Sequence, residues 1–500
     1  MYPGFHTDDY FDFGLAASNY ENTLSLNFSA LSTYEISHFV LRPISFLNLL
    51  YNYNFYGINS LAMKIAVIPI HIIFVCLFYY LLNLLCNFLK LSFNPSIALV
   101  ISLLLSFHPN NFWWIYWICN QNELLMMLFY TLALIFILKY ISEDKKKYLW
   151  LYLISFLLSI AAKQQAIHLP VLIIFFSWVF KSKLSDEKYR IILKFSFVAL
   201  IFSVVLSAVT YLLFSVDSFQ LEYILKKPFS LFGNLLFVVF PFRSISVYNF
   251  FLNNKIYAVA AMLLIASVLV LFVRRNNNLK TIISIAVFTL ITFYPRIFET
   301  ANNRINSIQV LFFCMAFYFV IERWKMNKKL VPSVILVLIL LNIVEAKNVS
   351  DYYKSINEKL QSEVYEYISS DFSSESIVAA SYLPHIFPFE LFYIKNKKFG
   401  YEDVNLIPIG YSHDFLKDNY QATVQAQLIK AGVQNDTLII STESDNVNLY
   451  KEGLYKKKFK EFENINTSKS SEVKFILGIL NPNKRKLIYY DGIKWGTVVR

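Results

Sequence analysis

The sequence predicts a mostly α, polytopic transmembrane helix bundle of about ten spans, followed by a small C-terminal extramembrane α/β domain. Three observations carry that prediction. The 500 residues are 56% hydrophobic and only 16% charged, with a mean hydropathy of +0.47. A soluble globular chain is nearer ~45–50% apolar and ~25% charged, so a soluble fold is excluded. Residues 1–345 hold 26 Lys and Arg against 15 Asp and Glu, whereas 346–500 hold 20 against 19. The long apolar runs lie in the first of these parts. The basic excess therefore belongs to an apolar body, where it reads as loop charge that orients helices, and nucleic acid loses its support as a partner.

The parts divide into an outer loop at 1–60, a transmembrane bundle at 61–345 and an extracytoplasmic α/β domain at 346–500. Spans are expected at 61–89, 96–108, 123–141, 148–161, 166–180, 191–214, 256–273, 279–294, 305–321 and 331–345. At 1.5 Å per residue, 148–161 and 166–180 reach only ~21–23 Å, short of a ~30 Å hydrocarbon core. Such helices end inside protein or at a cavity, because lipid satisfies no free backbone group. Short, broken helices point to a site at membrane depth.

Loop charge sets the orientation. Lys90, Lys139, Lys145 to Lys147, the basic residues from Lys181 to Lys194, Arg274, Arg275, Lys280 and those from Arg323 to Lys329 make up 17 of the 26 basic residues. They lie on one side, which is then cytoplasmic. Residues 1–60, the loops around 109–122, 215–255 and 295–304, and the tail fall on the outer face. The first 60 residues agree, with Asp8, Asp9, Asp12, Glu21 and Glu35 against a single basic residue, Arg42. They contain no apolar helix or signal peptide. In the tail, a polar helix is expected at 349–369 and β-like runs at 376–383, 437–442, 473–480 and 486–490. His385 and His413 are isolated there, and no catalytic motif appears. Cys76, Cys86, Cys119 and Cys314 show no metal or disulfide spacing and read as small buried hydrophobes.

The candidate chemistry begins at Phe5-His6-Thr7-Asp8-Asp9-Tyr10. Adjacent carboxylates beside a membrane are expensive to desolvate, and their repulsion favours proton uptake by one of them unless a cation lies near. Such a pair supplies a base for deprotonating a hydroxyl that attacks a sugar carbon from the face opposite the leaving group. Three further pieces follow in order. Arg42-Pro43, Asn48 and Tyr53-x-x-Tyr56-Gly57-Ile58-Asn59 lead into the 61–89 run, which carries His71. Phe107-His108-Pro109 closes a short helix, and Trp113 to Trp117 with Asn120-Gln121-Asn122-Glu123 runs into the next span. Ala162-Lys163-Gln164-Gln165-Ala166 precedes His168-Leu169-Pro170 at the break between two short helices.

Taken in order, these motifs resemble the GT-C superfamily of polyprenyl-phosphate-sugar glycosyltransferases, nearest to its protein O-mannosyltransferase-like and tetratricopeptide-bearing transmembrane members. The resemblance covers about residues 1–180 and extends loosely to about 345 through Asn302-Asn303-Arg304. It implies a multi-pass inverting glycosyltransferase, catalytic Asp8 and Asp9, and donor lipid-phosphate binding by Lys163 and Arg304, with Arg296 a weaker candidate. Arg42, His71, His108 and Glu123 are candidates for supporting the site. The implied partners are a polyprenyl-phosphate-sugar donor, a glycan, lipid or protein acceptor, and membrane lipids; the implied location is the bacterial cytoplasmic membrane, with the site on its outer face. The resemblance also implies a cytoplasmic helix upstream of Met1. Relatives often show His-Pro-x-His-x-Glu where this chain has His108-Pro109-Asn110-Asn111-Phe112-Trp113, an Arg where it has Gln121, and Lys-Glu where it has Lys163-Gln164. No cofactor is certain from these residues, a divalent metal is possible but not indicated, and no arginine clamp stands at Gln121. The bland readings beside these are a snorkelling Lys163, a Glu123 that caps its helix, satisfied core histidines and an interfacial belt at Trp113 to Trp117. An O-antigen polymerase or ligase and a lipid-linked glycan flippase or transporter are the alternative classes.

Overall fold

The computed structural model describes residues 42–56, 60–116, 118–214, 238, 307–323 and 330–369, together with nine short strands between 377 and 499. Asp8, Asp9, Arg296, Arg304 and the spans expected at 256–273 and 279–294 lie outside the described residues.

Ten α-helices are described: α1 (Pro43–Tyr56), α2 (Ser60–Leu89), α3 (Pro95–Ser106), α4 (Pro109–Tyr116), α5 (Gln121–Glu143), α6 (Lys147–Ala162), α7 (Leu169–Val179), α8 (Asp186–Phe214), α9 (Ser307–Arg323) and α10 (Leu330–Ser369). Four contain stretches long and apolar enough to cross a membrane: Leu61–Leu89, Gln121–Glu143, Asp186–Leu206 and Leu330–Asn348. Shorter apolar helices run at Pro95–Ser106, Lys147–Ala162, Gln164–Val179 and Ser307–Glu322. These helices coincide with eight of the ten expected runs. Large apolar side chains stay exposed on them, among them Ile72 and Ile73 of α2, Ile201 and Val204 of α8, and Leu336 and Leu340 of α10. Water does not tolerate that much contiguous apolar surface, and the chain is a membrane protein. Cys76, expected to be buried, lies exposed on the Ile72–Ile73 face of α2, while Cys86 and Cys314 are buried.

Two local outcomes differ from expectation. The segment assigned to an outer loop contains α1, which buries Phe46, Leu49 and Leu50 at i, i+3 and i+4. Its Asn- and Tyr-rich second half hid that stripe. At the other end, the expected span 331–345 and polar helix 349–369 form one continuous helix. No Gly or Pro interrupts residues 333–369, so nothing ends the helix where its composition changes.

Helix α2 runs parallel to α5, and α6 packs antiparallel to α5; the three organise the core, with Phe74 and Phe78 of α2, Met126, Met127 and Tyr130 of α5 and Tyr152 and Phe156 of α6 all fully buried. Tyr318 of α9 closes it: its hydroxyl accepts from Asn94 N–H at 3.1 Å and from the Cys86 thiol at 3.6 Å.

One end of this bundle is rich in lysine. The Lys183 ammonium donates to the Leu89 carbonyl at 3.2 Å, and that of Lys188 donates to the Ile141 carbonyl at 2.9 Å and lies 3.7 Å from Asp144. The C-termini of α2 and α5 and the α7–α8 turn therefore meet, and cations there satisfy last-turn carbonyls. Lys90 and Asp144 end α2 and α5 in left-handed conformation, at φ 60° and 58°. At the first, Lys90 N–H donates to Asn87 O and Leu91 N–H to Cys86 O, the paired bonds of a Schellman motif.

Beyond α10 the described residues are strands. β1 (Ile377–Ser381) pairs in parallel with β2 (Asn405–Pro408) and β8 (Lys486–Tyr490), and β8 pairs antiparallel with β9 (Trp495–Val499). β4 (Ile429–Gln434), β5 (Thr437–Thr442) and β7 (Glu472–Ile476) form an antiparallel ladder, and β3 (Gly410–Tyr411) pairs with β6 (Leu449–Tyr450). The segments joining them lie outside the described residues.

Candidate functional site

The end of the bundle opposite the lysines gathers most of the buried polar groups. Helix α5 begins there and α6 ends there, so the first turn of one lies beside the last turn of the other. Glu123, in the first turn of α5, is completely buried, and its Oε2 accepts from the Lys163 ammonium at 2.9 Å. Lys163 follows the last residue of α6 in extended conformation and starts the 3₁₀ turn Gln164–His168 that breaks α6 from α7. Each charge sits where the helix macrodipole favours it, the anion at an N-terminus and the cation at a C-terminus. Two candidates read separately from the sequence thus form one neutral ion pair. Glu123 does not cap α5 in the way the bland reading supposed, because its carboxylate is turned to Lys163. Lys163 does not snorkel outward either: its side chain is only 11% exposed.

The same break is held at a second point. Nδ1 of His168 donates to the Gln165 carbonyl at 2.8 Å, which leaves its Nε2 to accept the Tyr130 hydroxyl at 3.2 Å. Tyr130 lies two turns below Glu123 on α5, so one face of α5 clamps both ends of the 163–168 break. From α8, the Ser203 hydroxyl donates to the Ile167 carbonyl at 3.0 Å. Tyr130→Phe removes the hydroxyl that α5 places on His168 Nε2 and should lower stability by ~1–3 kcal/mol in a denaturation titration, whereas an unchanged midpoint would mean the bond contributes nothing.

On the other side of α5, the Gln121 side chain is built into a wall of amides. Its Oε1 accepts from Asn52 at 3.0 Å and Asn48 at 3.3 Å, and its Nε2 donates to the Met63 carbonyl at 3.4 Å. Asn122 donates to the Ser45 hydroxyl at 3.2 Å. Neutral amides therefore tie α1 and α2 to the start of α5. Lys64, one residue beyond Met63, is 1% exposed.

The two histidines have structural partners. His108 accepts at Nδ1 from Asn110 N–H at 3.3 Å, so its Nε2 donates to the Val238 carbonyl at 3.1 Å, which makes it a neutral, fully engaged imidazole. His71 Nε2 and Ser106 Oγ lie 2.8 Å apart. Trp114 is fully buried and stands edge-on to His71 and Phe74, with ring centroids 5.7 and 5.4 Å away. The interfacial-belt reading therefore fails for Trp114: α4 turns this residue into the core against α2. Arg42 precedes α1, and its carbonyl accepts the first helical hydrogen bond from Phe46. Among the described residues, no group of three or more His, Cys, Asp or Glu converges as metal ligands do.

Sequence reading passed over Lys64, Asn52 and Tyr130. Lys64 had a signal, being the sole Lys, Arg, Asp or Glu in the apolar run 61–89. Asn52 and Tyr130 had none, since nothing local distinguishes them from other Asn and Tyr residues of this chain. No protein-family model matches the chain, and no curated protein matches it.

Proposed function

We propose that the chain is an inverting membrane glycosyltransferase of the GT-C superfamily. It moves a sugar from a polyprenyl-phosphate donor to a hydroxyl of a glycan, lipid or protein on the outer face of a bacterial cytoplasmic membrane. The observation that carries this reading is the polar end of the bundle, where a fully buried carboxylate, paired with a largely buried ammonium, meets a helix break amid apolar helices. Buried charge is costly and is kept where chemistry or transport uses it.

In this reading the bundle has ten spans, the lysine-rich end faces the cytoplasm, and residues 346–500 form an outer α/β domain. The acceptor hydroxyl attacks C1 of the sugar while a carboxylate of the Asp8–Asp9 pair takes its proton. The C1–O bond to phosphate breaks, and the polyprenyl phosphate leaves with the electron pair. Cations in a low-dielectric pocket stabilise that developing charge far better than they would in water. Arg304 and Arg296 carry the larger share, because Lys163 divides its charge with Glu123. Arg42, His71 and His108 support the walls.

A second reading, a lipid-linked glycan transporter, gains from the same ion pair, since charges paired at membrane depth line transport routes. It ranks lower because Glu123 and Lys163 stand at helix ends rather than in mid-span. Donor class decides. Proteoliposomes containing the full chain should consume polyprenyl-phosphate monosaccharides. Consumption only of diphosphate-linked oligosaccharides would indicate a polymerase or ligase, and movement of intact lipid between leaflets would indicate a transporter.

A further inference from the structure

Buried polar atoms in folded proteins find partners, and a buried ionised carboxylate needs more than one donor. At the start of α5 several buried atoms lack a hydrogen-bond partner among the described residues. Glu123 Oε1 has none, although Oε2 of the same carboxylate holds Lys163. Asn120 Nδ2 has none, and the Asn120 side chain makes no capping bond to the helix it precedes. Asn122 Oδ1 has none, while its Nδ2 donates to Ser45. Asn120 and Glu123 are 6% and 0% exposed. Within one helical turn the chain therefore offers one amide NH2 group and two acceptors, one of them an oxygen of a carboxylate held by an ion pair.

The chemistry of those atoms selects their ligand. The Glu123–Lys163 pair is neutral overall, so an anion at Oε1 would meet like charge, and a cation there would leave excess positive charge at a buried site. A neutral group that both donates and accepts meets neither penalty. Hydroxyls do both, and vicinal hydroxyls present the alternation of donor and acceptor that Asn120 and Glu123 require.

We propose that the first turn of α5 is a hydroxyl-binding subsite for a polyol, in which Glu123 Oε1 accepts from, and Asn120 Nδ2 donates to, hydroxyls of the sugar. Resting on the glycosyltransferase reading above, this assigns Glu123 to the sugar of the donor rather than to its phosphate. Lys163 is then a positioning residue that keeps the carboxylate aimed. A sugar held there selects donors by hydroxyl configuration, a specificity that apolar contacts alone do not provide.

The test is binding of two probes to the full chain in nanodiscs: bare polyprenyl phosphate, and polyprenyl phosphate bearing hexoses or pentoses in turn. The wild type should prefer one sugar-bearing lipid over the bare lipid. Glu123→Gln and Asn120→Ala should each cut that preference by about tenfold, the effect expected for one lost hydrogen bond, and Asn120→Ala, which leaves the ion pair intact, should do so with bare-lipid affinity little changed. Asn120→Ala serves where Glu123→Gln folds poorly, because Asn120 takes no part in the ion pair. A wild-type preference that both variants retain would overturn the subsite and leave the functional reading standing. Wild-type binding of neither probe would overturn both.

Discussion

If the proposed glycosyl transfer is right, Asp8→Asn and Asp9→Asn are each expected to lower sugar transfer from a polyprenyl-phosphate donor, by about 10²–10⁴-fold for the one that serves as general base. Carboxylate and amide have nearly the same shape, so the substitution removes proton affinity and leaves packing almost intact. The base acts only in the transition state, and the loss should therefore fall on kcat, with KM for the donor little changed. One of the two aspartates carries the larger loss, because a single proton leaves the attacking hydroxyl. Wild-type rates in both variants would remove the Asp8–Asp9 pair from the reaction.

Lys163→Met and Glu123→Leu, made singly, each destabilise the fold by ~3–5 kcal/mol, and the double variant recovers most of that loss. Either single change leaves a charge inside an apolar bundle with its partner gone, and that exposes the full desolvation penalty. Removing both replaces a costly neutral pair by apolar side chains of similar size, which often costs little. Denaturant titration of the four proteins in one detergent gives the coupling between the sites directly. The 2.9 Å separation and the burial of Glu123 place this pair among those that couple strongly. Additive single effects, or singles within ~0.5 kcal/mol of wild type, would mean that water reaches the pair and that this end of the bundle is open. Activity need not follow stability: the double variant is expected to fold and yet to bind sugar-bearing lipid weakly.

Helices were the legible part of this chain. Apolar runs of membrane length announce themselves by composition, and every expected run among the described residues lies on a helix. Helix α1 escaped because its buried stripe, Phe46, Leu49 and Leu50, is interleaved with Asn and Tyr, which favour turns as readily as helices. The break at Lys163 was legible from the change of composition at Ala162-Lys163-Gln164-Gln165, and its clamps were not. Glu123 and Lys163 stand 40 residues apart in sequence, Tyr130 and His168 stand 38 apart, and only the antiparallel packing of α5 on α6 brings either pair together. The local sequence told which residues were unusual. Which of them answered one another was settled by the fold. His71 and His108 show the reverse case: both stood out, and both proved to be held by ordinary hydrogen bonds to Ser106 and Val238.

Stoichiometry separates catalysis from transport most directly. Proteoliposomes loaded with a polyprenyl-phosphate monosaccharide labelled in both the sugar and the lipid should release one free polyprenyl phosphate for each sugar that leaves the donor, and neither product should form with both aspartates replaced by asparagine. Donor recovered intact, with sugar and lipid labels still joined after it has met the wild-type protein and a range of hydroxyl acceptors, would contradict glycosyl transfer.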